Sequence, residues 1–313
     1  AELAALQEKI ADFKSILASP KRVTDIVRDE LQEIKEAYDN PRRSELVIDY
    51  DEIDIGDLID KEDVVISMTH YGYIKRLPTT EYKAQHRGGK GVTAHRPKEE
   101  DFVEKMFVTN THDTLLYFTN FGRVYAAKAY EVPEAERTAR GRAIVNLLQL
   151  NDGEKVSAVI PIKEDEYKGN LVMATKRGMI KKTALTEFKL IRKVGKVAIK
   201  LNEGDELISV QQSGGIDEIL IASQSGKCIR FSEENVRLMG RDTQGVRAMR
   251  LDADDNVVDM TVVKPDCDVL TVSENGFGKR TDVEEFRLQS RAGKGIKAGT
   301  FNQKTGRLVN MKL

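Results

Sequence analysis

The sequence predicts a mainly β protein, a propeller-like array of four-stranded units that follows an N-terminal helical pair. Three observations lead there. From Val64 onward five segments, "VVISMTHYGYIKRL", "TLLYFTNFGRVYAA", "LVMATKRGMIKKT", "EILIASQSGKCIRF" and "DVLTVSENGFGKRT", each run from an apolar strand through a glycine turn into a strand that ends in cations. Their turn glycines, Gly72, Gly122, Gly178, Gly226 and Gly276, are spaced 50, 56, 48 and 50 residues apart. Each segment is then followed by an apolar anchor, a basic loop, a third strand, an acidic turn such as "LNDGEK", "LNEGDE" or "LDADDN", and a fourth strand. One such sheet cannot bury both of its faces, so tandem copies at this period stack as radially arranged blades. The Gly-His and Trp-Asp signatures of the commonest propellers are absent.

The elements follow in order. Leu3, Leu6, Ile10, Phe13 and Leu17 repeat at helical spacing, which predicts a helix over 2–18. Ser19 is suited to cap a second helix with Pro20 at its first position, where the missing proline N–H costs nothing. Val23, Ile26, Val27, Leu31, Ile34 and Tyr38 form its stripe, so the second helix spans 20–38 and ends before "DNPRRS". Residues 1–45 thus read as a helical region. Residues 46–63, "LVIDYDEIDIGDLIDKED", alternate apolar and acidic positions and read as an extended acidic connector with the potential to pair at a sheet edge. Residues 64–313 hold the five repeats. Each turn glycine supplies the positive φ that a tight hairpin demands. The anchors Tyr82, Tyr130, Phe188, Val236 and Phe286 recur at one place in the repeat and read as core.

Composition bounds the function. No apolar run is long enough to span a bilayer, and Cys228 and Cys267 form no CxxC pair, so neither a membrane segment, a disulfide framework nor a zinc site is expected. A reducing, cytoplasmic setting fits. Ala1 lies inside the first helical pattern without signal-like features, as expected of a piece of a longer chain. The net charge of −1 conceals a division: residues 1–63 hold 9 Lys/Arg against 18 Asp/Glu, and the remainder holds 41 against 33. A basic body behind an acidic front points to a polyanionic partner.

The cations recur at two places in the repeat. After the hairpin come Lys75, Arg76, Arg123, Lys128, Lys181, Lys182, Lys227, Arg230, Lys279 and Arg280; in the loop come Arg87, Lys90, Arg140, Arg142, Arg192, Lys193, Lys196, Arg241, Arg247, Arg291, Lys294 and Lys297. In a radial array a position fixed in the repeat becomes a stripe in space, and a stripe of cations is a track for a phosphate backbone. The bland alternative is that these side chains only solvate edge strands. The densest site is "QHRGGKG", where Gly88, Gly89 and Gly91 bare the backbone N–H groups and Arg87 and Lys90 supply charge-assisted hydrogen bonds. It lacks the GxxxxGK[ST] spacing of a nucleotide P-loop. His70, His86, His95 and His112 show no metal-ligand spacing, and no catalytic constellation is expected.

"AQHRGGKG" resembles the Q-[RK]-R-G-G-[RK]-G box found in the C-terminal DNA-wrapping domain of the bacterial DNA gyrase A protein, and "EDVVISMTHYGYIKRL", "VTNTHDTLLYFTNFGRVY", "ARGRAIVNLL", "GKVAIKL" and "NGFGKRT" resemble its successive blades. The helical pair with "DNPRRSELV" resembles the end of the breakage-reunion region of the same gyrase protein. The resemblance implies a β-pinwheel that wraps double-stranded DNA around a basic rim without reading sequence, so that ATP-driven strand passage introduces negative supercoils. It places the box at Gln85, His86, Arg87, Gly88, Gly89, Lys90 and Gly91, with His86 departing from the usual basic residue. The family usually has six blades, and five repeats are counted here. The catalytic tyrosine, the metal-binding acids and the ATPase belong to other parts of that enzyme; ATP and Mg2+ are therefore expected to act there, with gyrase B and a second copy of gyrase A as partners. Two alternatives are the corresponding domain of topoisomerase IV, in which the box is typically degraded, and a propeller that binds proteins through aromatic hot spots.

Overall fold

Helix α1 (Glu2–Ala18) and helix α2 (Pro20–Tyr38) start and stop where capping chemistry dictates. The Ser19 side chain accepts a hydrogen bond from the Arg22 N–H, Pro20 occupies the first helical position, and Arg22 pairs with Asp12 across the turn at 2.9 Å. Both apolar stripes are exposed among the described residues. The computed structural model describes residues 2–40, 44, 55–82, 101–164, 166–191 and 193–313; the chain divides into two units, Ala1–Ile53 and Asp54–Leu313. Residues 46–54 of the acidic connector lie outside the described residues, and its second half opens with a short 3-10 turn, Ile55–Leu58.

The second unit contains the repeats. The first gives β1 (Asp63–Thr69), β2 (Tyr73–Pro78) and β3 (Val103–Asn110). The second gives β4 (Thr114–Thr119), β5 (Arg123–Lys128), β6 (Arg142–Ala143) and β7 (Val156–Ile162). The third gives β8 (Asn170–Thr175), β9 (Met179–Ala184), β10 (Lys196–Val197) and β11 (Leu207–Ser213), and the fourth β12 (Glu218–Ser223), β13 (Lys227–Ser232), β14 (Val246–Arg247) and β15 (Val257–Val262). The fifth gives β16 (Asp268–Ser273), β17 (Gly278–Asp282), β18 (Ile296–Lys297) and β19 (Leu308–Lys312).

The mainly β, propeller-like fold expected from the sequence is present, with one difference in how strands are shared. The first sheet runs β3-β1-β2-β6, the second β7-β4-β5-β10, the third β11-β8-β9-β14 and the fourth β15-β12-β13-β18. The second to fifth repeats therefore each give three strands to their own sheet and lend a short third strand to the sheet before it. The fifth sheet, β19-β16-β17, has three strands among the described residues. The lending depends on a glycine in each loop: Gly141, Gly195, Gly245 and Gly295 all have positive φ. A Cβ at Gly141 would lie 2.4 Å from the Ile74 carbonyl oxygen, so only glycine lets the loop approach the preceding sheet this closely.

Hydrophobic clusters fill each interface between consecutive sheets. Val64, Ile66 and Ile74 pack with Leu115, Tyr117 and Tyr125; Leu116 and Phe118 with Leu171 and Phe188; Val172 and Ile180 with Ile219 and Phe231; Leu220 and Cys228 with Val269 and Phe286. Sandwiching on both faces explains why β4, β8 and β12 read as continuous apolar runs rather than alternating ones. The anchors Phe188, Val236 and Phe286 are buried core residues, as expected. A cavity of about 480 Å3 lined by residues of all five innermost strands, including Lys105, Ser157, Gln211, Asp259 and Lys312, marks the axis around which the sheets are arranged.

The acidic turns carry a structural device that was not legible in their composition. One acid of each turn is buried and locks the neighbouring hairpin: Asp205 accepts from the Thr175 hydroxyl at 2.7 Å and the Arg177 N–H at 2.9 Å, and Asp255 accepts from Ser225 at both its hydroxyl and its N–H. Glu154 accepts from the Thr119 and Tyr125 hydroxyls, and Asp101 from the Tyr71 N–H.

Candidate functional site

The cations divide into two groups according to where the sheet places them. Those following the hairpin sit on the second strand of each repeat, which in the first four repeats is covered by the loop of the next; Lys279 and Arg280, on β17 of the fifth, are exposed. Lys75 and Lys181 occupy the same register, three residues past the turn glycine, and both are fully buried. The Lys75 ammonium donates to the carbonyls of Glu136 at 3.2 Å, Arg137 and Ala139, and that of Lys181 to Ala198 at 2.8 Å and to Arg241. One residue on, Lys182 donates to the Glu233 carbonyl at 3.1 Å. Arg230 donates to the Val283 and Phe286 carbonyls at 2.9 and 3.3 Å and pairs with Glu218 at 2.5 Å and Glu284 at 2.9 Å. These four differ from the expectation of a phosphate-facing stripe: they staple one blade to the next. The reason is the lent strand, which turns the outer edge of each sheet into an interface whose loop carbonyls need donors.

Other cations of this set are partly engaged. Arg76 pairs with Glu134 at 3.2 Å, Arg123 donates to the Tyr125 hydroxyl and the Val194 carbonyl, Lys128 to the His112 carbonyl, and Lys227 pairs with Asp252 at 2.5 Å. In the loops, Arg291 donates to the carbonyls of Asn235 and Arg247, Arg241 lies 3.9 Å from Glu187, and Lys193 pairs with Glu131. The recurring loop cation thus reaches the preceding blade.

What remains is a set of exposed cations on the lent strands, the outermost of each sheet. Arg142 stands on β6, Lys196 on β10, Arg247 on β14 and Lys297 on β18, all exposed, with no side-chain hydrogen bond or ion pair among the described residues. Arg140 and Lys294 flank them, Arg140 with its guanidinium 5.4 Å from the Tyr73 ring centroid and Lys294 3.5 Å from Asp252. The register is not uniform. Arg142 and Lys196 directly follow the loop glycine, whereas Arg247 and Lys297 come one residue later, so the charge changes sheet face between the third and fourth repeats. All four still lie at the outer edge. Arg192 and the box Gln85, His86, Arg87, Gly88, Gly89, Lys90 and Gly91 lie outside the described residues.

Burial leaves a chemical signature on the staples. Lys181 has its pKa lowered to about 8 by desolvation. The ordinary lysine value lies near 10.5, so between pH 8 and that value the unfolded chain binds more protons and stability rises with pH. Guanidinium unfolding on the two sides of the folded value, at about pH 7.5 and about pH 9.5, is expected to show the wild type gaining stability relative to Lys181→Met at the higher pH. An unchanged difference would mean that Lys181 stays charged and solvated.

The sequence did hold a signal for the staples. A lysine at the centre of "YIKRL" or "MIKKT" stands in a strand sandwiched on both faces, and such a strand leaves no solvated side for it. Among the described residues no group of three or more His, Cys, Asp or Glu side chains is gathered to hold a metal ion, and no helix is long and apolar enough to cross a membrane.

Comparison with known proteins bears on this geometry. A family model described as DNA gyrase C-terminal domain, beta-propeller, matches residues 63–110, 113–163, 169–213, 217–264 and 268–313. The DNA gyrase A protein of Clostridium acetobutylicum is 49% identical over 308 residues, covering 98% of this chain and 37% of the relative. The chain spans about a third of the length of the curated relatives it matches. Among solved structures, the C-terminal domain of a DNA topoisomerase IV overlays with a TM-score of 0.68 at 27% identity, covering 81% of this chain and 78% of the other. A DNA gyrase A C-terminal domain overlays at 0.64 with 31% identity, covering 80% and 82%.

Proposed function

Because the chain belongs to the DNA gyrase C-terminal domain family of β-propellers, we propose that it binds, bends and wraps double-stranded DNA along the outer edge of its blades, as the part of gyrase A that enables ATP-dependent negative supercoiling. The observation that carries this reading is the recurrence of an exposed cation on every described lent strand: Arg142, Lys196, Arg247 and Lys297. The chemistry is electrostatic. Each ammonium or guanidinium that meets a phosphate releases condensed counterions, and the summed contacts offset the stiffness of the duplex. Phosphate contacts position a duplex without reading it, so sequence preference is small. The box at Gln85 to Gly91 adds a loop of bared backbone with Arg87 and Lys90. Gyrase B, a second copy of gyrase A, ATP and Mg2+ are assigned to the complete enzyme, in the cytoplasm; strand cleavage and ATP hydrolysis lie outside this chain.

The test is binding to labelled duplexes of unrelated sequence over a range of KCl. Combining Arg142→Gln, Lys196→Gln, Arg247→Gln and Lys297→Gln is expected to leave melting unchanged and to flatten the slope of log affinity against log salt by about 3 to 4 units, near one per phosphate lost. Arg87→Gln with Lys90→Gln is expected to flatten it by about 2. A wild-type chain whose binding does not respond to salt would overturn the reading in favour of a protein-binding propeller. The topoisomerase IV alternative is separated in the reconstituted enzyme, which introduces supercoils if it is a gyrase.

A further inference from the structure

We infer that Leu190, Leu238 and Leu288 form an apolar strip along the outer edge of the blades, which packs against the deoxyribose surface of duplex DNA and supplies a share of the affinity that salt does not screen; this rests on the DNA-binding reading above. All three are exposed among the described residues, at 79%, 58% and 55%. Single exposed leucines are ordinary on a protein surface, but these three are not scattered. Each stands two residues after its repeat's buried anchor, Phe188, Val236 or Phe286, and directly follows an exposed cation, Lys189, Arg237 or Arg287. The order of buried and exposed positions from Leu185, Glu233 and Val283 onward is the same in the three repeats through the next six residues. Leu190 and Leu238 lie in repeats with a described repeat after them, so the exposure belongs to the loop itself.

The backbone fixes these leucines at the rim. β8 occupies one edge of β9, and on the other edge Leu238 pairs with Lys182 in a parallel bridge; Leu288 stands the same way beside Arg230 of β13. The Met239 N–H donates to the Lys182 carbonyl at 2.9 Å and the Gln289 N–H to the Arg230 carbonyl at 2.8 Å, which ties the loop down next to each leucine. The lent-strand cations lie on the same edges. Arg247 pairs with Met179 and Lys297 with Lys227, each three residues along the strand from the leucine's partner. Three residues of strand span about 10 Å, less than the width of about 12 Å of one B-DNA major groove. A duplex that meets Arg247 therefore lies over Leu238 as well.

Charge and chemistry select the occupant. Besides the cation before it, each leucine is followed three residues later by another, Lys193, Arg241 or Arg291. Of the acids that precede the anchors, Glu187 and Glu284 face Arg241 and Arg230. An apolar side chain between cations suits a polyanion that presents hydrocarbon between its phosphates, as the deoxyribose of a duplex does. The contact is lateral, because an apolar side chain inserted between base steps kinks a duplex toward its major groove, away from the protein, and would oppose wrapping. At the same register of the second repeat stands Glu134, paired with Arg76 at 3.2 Å, so among the described residues the strip is confined to the third to fifth repeats.

The experiment titrates labelled duplex with the full chain at several KCl concentrations and compares the wild type, the triple variant Leu190→Ser/Leu238→Ser/Leu288→Ser and the Arg142→Gln/Lys196→Gln variant. The triple variant is expected to melt with the wild type, to keep its slope of log affinity against log salt, and to bind about tenfold more weakly at every salt concentration, the effect of leaving roughly 55 Å2 of apolar surface uncovered. The edge-strand variant is expected to flatten the slope by about 2 units instead. Wild-type affinity in the triple variant would overturn the strip while DNA binding stands, and a flattened slope in it would show that the leucines act only by positioning cations. A lowered melting temperature would make them core residues, and the strip would again be wrong. If the triple variant binds duplex normally and sedimentation shows the wild type alone self-associating, the leucines join copies of this chain instead. Salt-independent binding by the wild type would remove both readings together.

Discussion

Gly245→Val is expected to lower the melting temperature of the propeller unit by roughly 10 °C, from a loss of about 3 to 5 kcal/mol. Two costs add. Gly245 has φ +87°, a left-handed conformation that a β-branched residue adopts only under strain. Its Cβ would also lie 2.4 Å from the Ile180 carbonyl oxygen and 3.1 Å from the Lys181 Cβ, and the first of these contacts is backbone that cannot rotate away. Relief requires β14 to part from β9, which opens the seam between the third and fourth blades and uncovers Lys181. Gly204→Val separates the two costs, because Gly204 has φ +70° with nothing within 4 Å of its Cβ. Calorimetry is expected to show Gly204→Val losing only the conformational part, about 1 to 2 kcal/mol. Equal losses in the two variants would mean that the close approach to Ile180 carries no weight.

Arg230→Gln is expected to cost about 3 kcal/mol, the lower end of what breaking a buried ion pair costs. The lower end applies because Glu218 and Glu284 keep 31% and 74% of their side-chain exposure and recover solvation once released. The larger share comes from the carbonyls of Val283 and Phe286, which lose their donor inside the interface between the fourth and fifth blades. Glutamine is too short to reach both. Arg280→Gln, at the same register in the fifth repeat, is expected to change stability by less than about 1 kcal/mol, since exposed pairs contribute little. Denaturant unfolding of the two variants side by side provides the comparison; equal stability of Arg230→Gln and wild type would show that the blades are held by their hydrophobic clusters alone.

These contrasts show what was readable in the residues. The hairpins were, because positive φ at Gly72, Gly122, Gly178, Gly226 and Gly276 is a local demand met by one residue type, and all five have it. The helices were, because Ser19 and Pro20 mark a start by capping chemistry that needs no tertiary partner. The strand count of the second to fifth repeats was also readable, but not the sheet to which the third strand belongs. Arg142 and Ala143 pair with Ile74 and Tyr73 of the repeat before, and nothing in a two-residue strand specifies which neighbour it joins. That single displacement changes the meaning of the cations. The staples looked like a rim because periodicity alone does not distinguish a position facing water from one facing the next repeat's loop.

By itself, then, the amino-acid sequence determined the period, the turns, the helix limits and the family resemblance, since each depends on residues close together in the chain. The tertiary structure decided the fate of each charge. Lys181 and Lys279 occupy one register and differ in environment only because the loop around Arg241 covers the first. Desolvation is set by what packs against a side chain, and in a propeller the next blade supplies that cover.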